Sequence, residues 1–385
     1  GDVSGILNVV SRSFQSWSRK DYGYSAVLGM HSFGLMENNL FEDALNSSSS
    51  SLNLNKGDVW ALHAETHVYE MQGRANEGQS VLRDKILNWE NSNLLSCHMA
   101  WHLALFYLDQ GRIQAAKRVF DVDMAKESMG TPWTKEKRKA IGPFGLSDMT
   151  SLLWRLELNS GDVEDRWKEV ANAWKQFDEL QLSVFNDMHA VIAFLAMSRK
   201  EGKVWKERAL KVIERNKNLK DLVGKGADVS EKLKEKKKRS DFGFDLASFL
   251  PFQLKQGENE PDNAWVAVNI GVTLMEAFVA FSEEDFEEAC HKFLQIKSST
   301  YLIGGASRAQ KDIVQLTLMD AAMRLEDQTL AKLLMSERCT NKPKSAQAWA
   351  RYGVVMQRTG DSEHAQYCAL TAYQLGLGQK GSFSS

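Results

Sequence analysis

Along this chain apolar and polar positions alternate with a helical period, in paired segments joined by short turns. The pairs read as helical hairpins over about 22–52, 57–89, 93–125, 148–177, 183–215, 264–297, 308–338 and 344–376. A turn residue is followed five positions later by a small one, where the second helix has to press on the first. Asn39 with Ala44, Gly73 with Gly78, Gly111 with Ala116 and Gly360 with Ala365 show this pairing, and Glu284 with Ala289 is a weaker copy. The first two turns lie 34 residues apart.

That spacing is the tetratricopeptide period, and Trp349, Tyr352, Gly353, Met356, Gly360, Ala365 and Ala372 follow the repeat's own pattern near the C-terminus. The expected fold is therefore all-α, a tetratricopeptide-like right-handed α-solenoid of about eight hairpins forming one continuous domain over 1–385. Three stretches break the pattern. A Ser/Asn-rich run between Asn46 and Asn55 reads as a long, mobile turn. Gly130, Pro132, Gly142 and Pro143 mark an inserted loop over about 126–147. A second insertion, about 218–262, carries a basic run from Lys234 to Arg239, read as a solvated face, and an apolar segment from Phe242 to Phe252 expected to pack onto the solenoid or a partner.

Composition supports the helical reading, since 18 Phe, 14 Met and 11 Trp stand against only five Pro. A formal charge of −2 argues against a nucleic-acid-binding domain, whose footprint would be strongly basic. No run of about 18 apolar residues and no basic-then-apolar leader is read, so the chain is expected to be soluble, without a membrane partner, and cytoplasmic. Cys97, Cys290, Cys339 and Cys368 lack CxxC spacing, which suggests neither a disulfide framework nor a cysteine zinc site and fits a reducing compartment. No Walker loop, GxGxxG or GxSxG elbow occurs.

Candidate chemistry concentrates in two adjacent hairpins. At about 100° of arc per residue, His63 and His67 share a helix face, with Glu70 about 20° from His63. His98 and His102 repeat the arrangement on the next hairpin, so two columns of imidazole are placed to converge. HxxxH on a helix is a workable zinc arrangement, which Glu70 or a second-hairpin histidine would complete; with Ala64 after His63 it is not HExxH. A metal-free polar pocket and plain structural packing remain the alternatives. Asn186 and His189 share a face, whereas Asp187 points elsewhere and would orient a histidine of a neighbouring hairpin or cap its own helix. Trp101 reads as core filling or a ligand platform, and Cys97 as a small buried apolar residue. Gly304 and Gly305 precede a helix for which Ser307 is the cap.

The segments SFGLMENNLFEDA (Ser32 to Ala44), DVWALHAETHVYEMQG (Asp58 to Gly73), LLSCHMAWHLALFYLDQG (Leu94 to Gly111), VFNDMHAVIA (Val184 to Ala193) and IGGASRAQKDI (Ile303 to Ile313) resemble the tetratricopeptide repeat protein 38 family nearly end to end. That helical-repeat family has a poorly defined biochemical role, and its fuller members carry a further N-terminal repeat region. The resemblance singles out Glu37, His63, His67, Glu70, His98, Trp101, His102, Asn186, Asp187, His189, Gln310 and Asp312. Lys311 stands where the family tends to have arginine, which weakens any bidentate anion contact there.

Two functions follow. In one, His63, His67, His98, His102, Asp187 and His189 supply acid, base or metal-ligand groups, while Glu37, Glu70, Trp101, Asn186, Gln310 and Asp312 line a pocket for a small molecule, with a divalent metal such as zinc as the cofactor. In the other, the groove of the array receives a peptide or helix of a protein partner and the histidines only knit hairpins together.

Overall fold

In a computed structural model of the chain the described residues are 2–92, 95–124, 142–160, 162–163, 165–179, 183–222 and 263–377. Among them all regular structure is helical. After α1 (Val3–Phe14) come α2 (Tyr24–Glu37) and α3 (Phe41–Leu54), then α4 (Val59–Gln72) with α5 (Ala75–Asp84) and the single turn α6 (Ile86–Trp89). Next are α7 (Ser96–Asp109) with α8 (Ile113–Val119), α9 (Pro143–Ser160) with α10 (Arg166–Trp174), and α11 (Val184–Glu201) with α12 (Lys203–Lys217). The last three pairs are α13 (Val272–Ser282) with α14 (Phe286–Ile296), α15 (Arg308–Arg324) with α16 (Thr329–Asn341), and α17 (Ala346–Arg358) with α18 (Ser362–Ala372). The fold is all-α and built of tetratricopeptide-like hairpins, as the periodicity predicts.

The turn signal has a backbone cause. Asn39, Gly73, Gly111, Glu284 and Gly360 all have φ between 63° and 79°, the left-handed conformation that ends a helix. Five residues on, Ala44, Ala116 and Ala289 are fully buried, and Ala365 nearly so. Gly78 is the extreme case, because a Cβ there would lie 2.2–2.7 Å from the ring carbons of Phe106 on α7.

The serine-rich run is not a turn. Residues 46–54 belong to α3, whose length is made possible by hydroxyls bonded to carbonyls of the helix it packs against. Ser47 Oγ donates to Leu28 O (2.9 Å), and Ser51 Oγ donates to the Asp58 carboxylate (2.7 Å), with Ser25 O 2.9 Å away as its alternative acceptor. Serine is a weak helix former only while its hydroxyl competes locally with the backbone. Here α2 and the N-cap of α4 take the hydroxyls of Ser47 and Ser51, while Ser48 and Ser50 bond the carbonyls of Leu45 and Asn46 about one turn back. Of the two expected insertions, 125–141 and 223–262 lie outside the described residues, and with them the basic run and the Phe242 to Phe252 segment. The first is shorter than expected, for Pro143 already opens α9.

By contact density the chain divides into two units. A terminal unit gathers Asp2–Gly130, Leu156–Asp162 and Leu325–Ser385; a central unit holds Thr131–Arg155 and Val163–Arg324. In the terminal unit Leu35, Met36, Ala44 and Val68 form a core with Phe33 and Met71 against it. In the central core Trp154 meets Phe278 edge-on and Phe281 at a tilt, and Phe278 is edge-on to Phe293 at 5.2 Å. By length and composition alone the helical stretch Asn263–Ser282 could cross a membrane, yet 61% of its most apolar window is buried inside the fold. Glu276 within it is paired with Lys217 and Lys292, which suits a core helix with one wet edge.

Because Phe106 is itself buried and cannot swing away, Gly78→Ala overpacks the α5–α7 contact. The expected loss is about 1–3 kcal/mol of unfolding free energy, read from the urea midpoint at unchanged m-value.

Candidate functional site

Helix α4 is fixed at both ends. Asp58 caps its N-terminus by accepting from Ala61 N at 3.0 Å, and Gly73 closes its C-terminus, with Arg74 N donating to Tyr69 O. Gly29 on α2 brings that helix so close that a Cβ would sit 3.1 Å from Ala61 N. Helix α7 is buried almost all round, from Ser96 to Leu108 with Cys97 the only break. Between these helices lie four imidazoles.

His63 and His67 come from α4, His98 and His102 from α7, and their exposures are 5%, 0%, 2% and 0%. One nitrogen from each ring falls within 4.8 Å of the corresponding atom of every other. His63 Nε2 is 2.8 Å from His67 Nε2, which is 3.2 Å from His102 Nε2. Aromatic rings wall the cluster. Phe33 stacks on His63 at 5.5 Å, Trp101 on His98 at 5.2 Å, and Trp60 meets His63 edge-on. The convergence expected from helical arc is thus present.

Burial holds His63, His67 and His102 well below the ordinary imidazole range, and the neighbouring imidazoles push the same way. Lys342 adds to that pressure on His67 and His102. These rings are therefore neutral at physiological pH and offer lone pairs. Such a group can hold a metal ion or exchange a proton with a bound molecule.

Around the cluster are contacts that no local pattern announces. Glu70 accepts from Lys342 Nζ at 2.8 Å; the lysine is buried and the glutamate side chain is 11% exposed. Ser345 Oγ donates to Asp109, whose carboxyl burial pushes up to about 6. Lys344 N donates to Gln72 O at 3.4 Å. These partners are separated by 236 to 272 residues, so only tertiary structure reveals them. Glu37 on α2 is buried at 3%, and Trp101 is fully buried.

The remaining predicted residues belong to the central unit. Asp187 accepts from Asn216 Nδ2 at 2.8 Å, so an amide of α12 holds it and not an imidazole. Ser183, not Asp187, caps α11, accepting from Asn186 N. His189 is fully buried and donates from Nδ1 to Phe185 O at 2.7 Å; burial lowers it to about 4, which leaves Nε2 as a bare acceptor. Asn186 bonds Ser147 Oγ at 3.2 Å, and Gln310 Nε2 donates to Asp148 Oδ1 at 2.9 Å. Ser307 caps α15 as expected, its Oγ accepting from Gln310 N. Asp312 is half-buried on the same helix, and Lys311 Nζ reaches Ile303 O at 3.4 Å. Two buried groups escaped the sequence reading, Asp148 and Arg155. A single arginine inside the apolar run from Leu152 to Leu156 was the available signal; its guanidinium donates to Ser151 and to Ala309 O.

A groove of about 440 Å³ also opens in the central unit between α12, α13 and α14. Its floor is apolar, from Leu210, Ile213, Val279 and Ala280. Five carboxylates and two lysines border it.

Replacing Lys342 by Ala leaves the Glu70 carboxylate buried without its cation and should cost about 3–5 kcal/mol in urea unfolding. Lys342→Met with Glu70→Leu should recover most of that loss. A different signature belongs to Asp187. Burial raises its carboxyl to about 7 in the fold, against about 3.9 in an unfolded chain, so its protonated form favours folding. That contribution is complete below about pH 4 and lost as pH rises through about 7. Asp187→Asn should therefore gain on the wild type between pH 5 and pH 8, by up to about 4 kcal/mol, in paired denaturation curves.

No family model matches the chain. Among solved structures it is similar to a tetratricopeptide repeat protein from Parabacteroides merdae, at 13% identity and a TM-score of 0.37, covering 83% of this chain and 93% of that one. It is also similar to a chain of Naa15/Naa10 bound to HypK-THB, at 12% identity and a TM-score of 0.22, covering 97% of this chain and 64% of that one. A third likeness is to yeast Tom70, at 11% identity and a TM-score of 0.24, covering 97% of this chain and 92% of that one.

Proposed function

We propose that this chain is a tetratricopeptide-type recognition module, related to the tetratricopeptide repeat protein 38 family, and that it takes a segment of a partner protein into the groove between α12, α13 and α14. The groove carries this reading. Its floor of Leu210, Ile213, Val279 and Ala280 receives apolar side chains. Its border is acidic: Glu214, Glu276, Glu283, Asp285 and Glu288 outnumber Lys217 and Lys292, and both lysines are already engaged by Glu276. An amphipathic helix with leucines on one face and lysines flanking them matches both features.

A second reading rests on the histidine centre. Enclosed, neutral imidazoles on two packed helices suit acid–base or metal-assisted chemistry on a small molecule, with Glu70 and Trp101 beside them.

The first reading is tested by fluorescence anisotropy with a labelled Leu/Lys amphipathic helix and its Leu/Glu counterpart. The lysine peptide should bind, with affinity falling as salt rises. Glu214→Lys with Glu283→Lys should weaken it by about tenfold or more. Equal binding of both peptides, or indifference to the double variant, would refute the reading.

A further inference from the structure

The four rings cannot satisfy one another. A ring nitrogen carries either a proton or a lone pair, and in a neutral imidazole one nitrogen is a donor and the other an acceptor. His67 Nε2 touches both His63 Nε2 and His102 Nε2. If it holds a proton it can donate along one contact and leaves the other without one. If it holds the lone pair, both neighbours must donate to that single pair, and their Nδ1 atoms become bare acceptors. Nδ1 of His63, His67 and His102 is buried with no protein partner in any case. Hydrogen bonding alone therefore leaves the two contacts at His67 Nε2 mismatched, which buried polar groups avoid.

A cation among the rings resolves the contact. It takes the Nε2 lone pairs of His63, His67 and His102 together, removes the repulsion between them and leaves the proton of each of these rings on Nδ1. The spacing suits this. Imidazole nitrogens about 2.0–2.1 Å from a zinc ion stand about 3.3 Å apart along a tetrahedral edge. The two observed edges, 2.8 and 3.2 Å, lie within about half an ångström of that value. Each pair is supplied by neighbouring turns of one helix; α4 is fixed by its Asp58 cap and by Gly29 of α2, and α7 by its nearly complete burial and by Gly78 of α5.

We propose that His63, His67, His98 and His102 bind one first-row transition-metal ion in the terminal unit, at a site independent of the groove. The ligand set decides the class. Four imidazoles without a carboxylate or thiolate among the converging atoms disfavour calcium and magnesium, which demand oxygen. Zinc, copper, nickel, cobalt and iron(II) are the ions that imidazole suits. The aromatic wall of Phe33, Trp60 and Trp101 keeps competing water from the rings.

The test uses the full chain. After chelation and dialysis it is titrated with Zn(II) and, separately, with Co(II), whose visible d–d bands report coordination geometry, and bound metal is counted by elemental analysis. One equivalent per chain is expected, with a four-coordinate nitrogen spectrum for cobalt and a metal-dependent rise in Tm. His67→Gln and His102→Gln should each lose at least tenfold in affinity, while His364→Ala, at an exposed histidine, should change nothing. His102→Cys should keep the metal and shift the cobalt spectrum towards thiolate charge transfer. Less than a tenth of an equivalent in the wild-type chain, magnesium bound as tightly as zinc, or binding unchanged in His67→Gln with His102→Gln would overturn the proposal. The wild-type result stands even where a variant fails to fold.

Discussion

The terminal unit depends on how closely α4 and α7 approach within a dry interior. Helix α7 has almost no wet face, so any polar group on it must be matched by another protein group or carry a cost of burial. Close approach is enforced from several sides at once. Gly29 admits α2, Gly78 admits the ring of Phe106, and the serines of α3 let two helices meet without bulk between them. Under that constraint four imidazoles become mutual neighbours, and their proton chemistry is set by packing before any ligand is considered.

Turns and histidine faces were legible in the sequence because both are local. A left-handed residue followed five positions later by a small one is written within one hairpin, and two histidines four apart share a face on any helix. Long-range polar pairing was not legible. Nothing near Lys342 says that its ammonium ends on Glu70, and nothing near Asp109 names Ser345. The serine-rich run failed for a related reason. Five serines resemble a loop until Ser47 is seen to donate to Leu28 on another helix and Ser51 to the cap residue Asp58. Asp187, expected to orient a neighbouring histidine or cap its own helix, is held by an amide.

The central unit solves its polar burial differently. Asp148, Gln310, Asn186, Ser147 and Ser307 form short chains of neutral or charge-assisted hydrogen bonds linking α9, α11 and α15. Trp154 and Trp174 bond threonine hydroxyls with their indole nitrogens, so even the largest core residues carry a specified orientation. Such networks fix which helix faces which more sharply than apolar contact alone.

The ties between α4 or α7 and the segment from Lys342 to Ser345 bear on biosynthesis. Glu70 and Asp109 emerge from the ribosome more than 230 residues before the groups that satisfy them. At about 5–20 residues per second, that interval lasts from roughly ten seconds to nearly a minute. During it the nascent first hairpins carry two carboxylates in seats that the finished protein seals. A chain truncated before Lys342 never seals them, and quality control acting on exposed or wet interiors would distinguish it from a complete one.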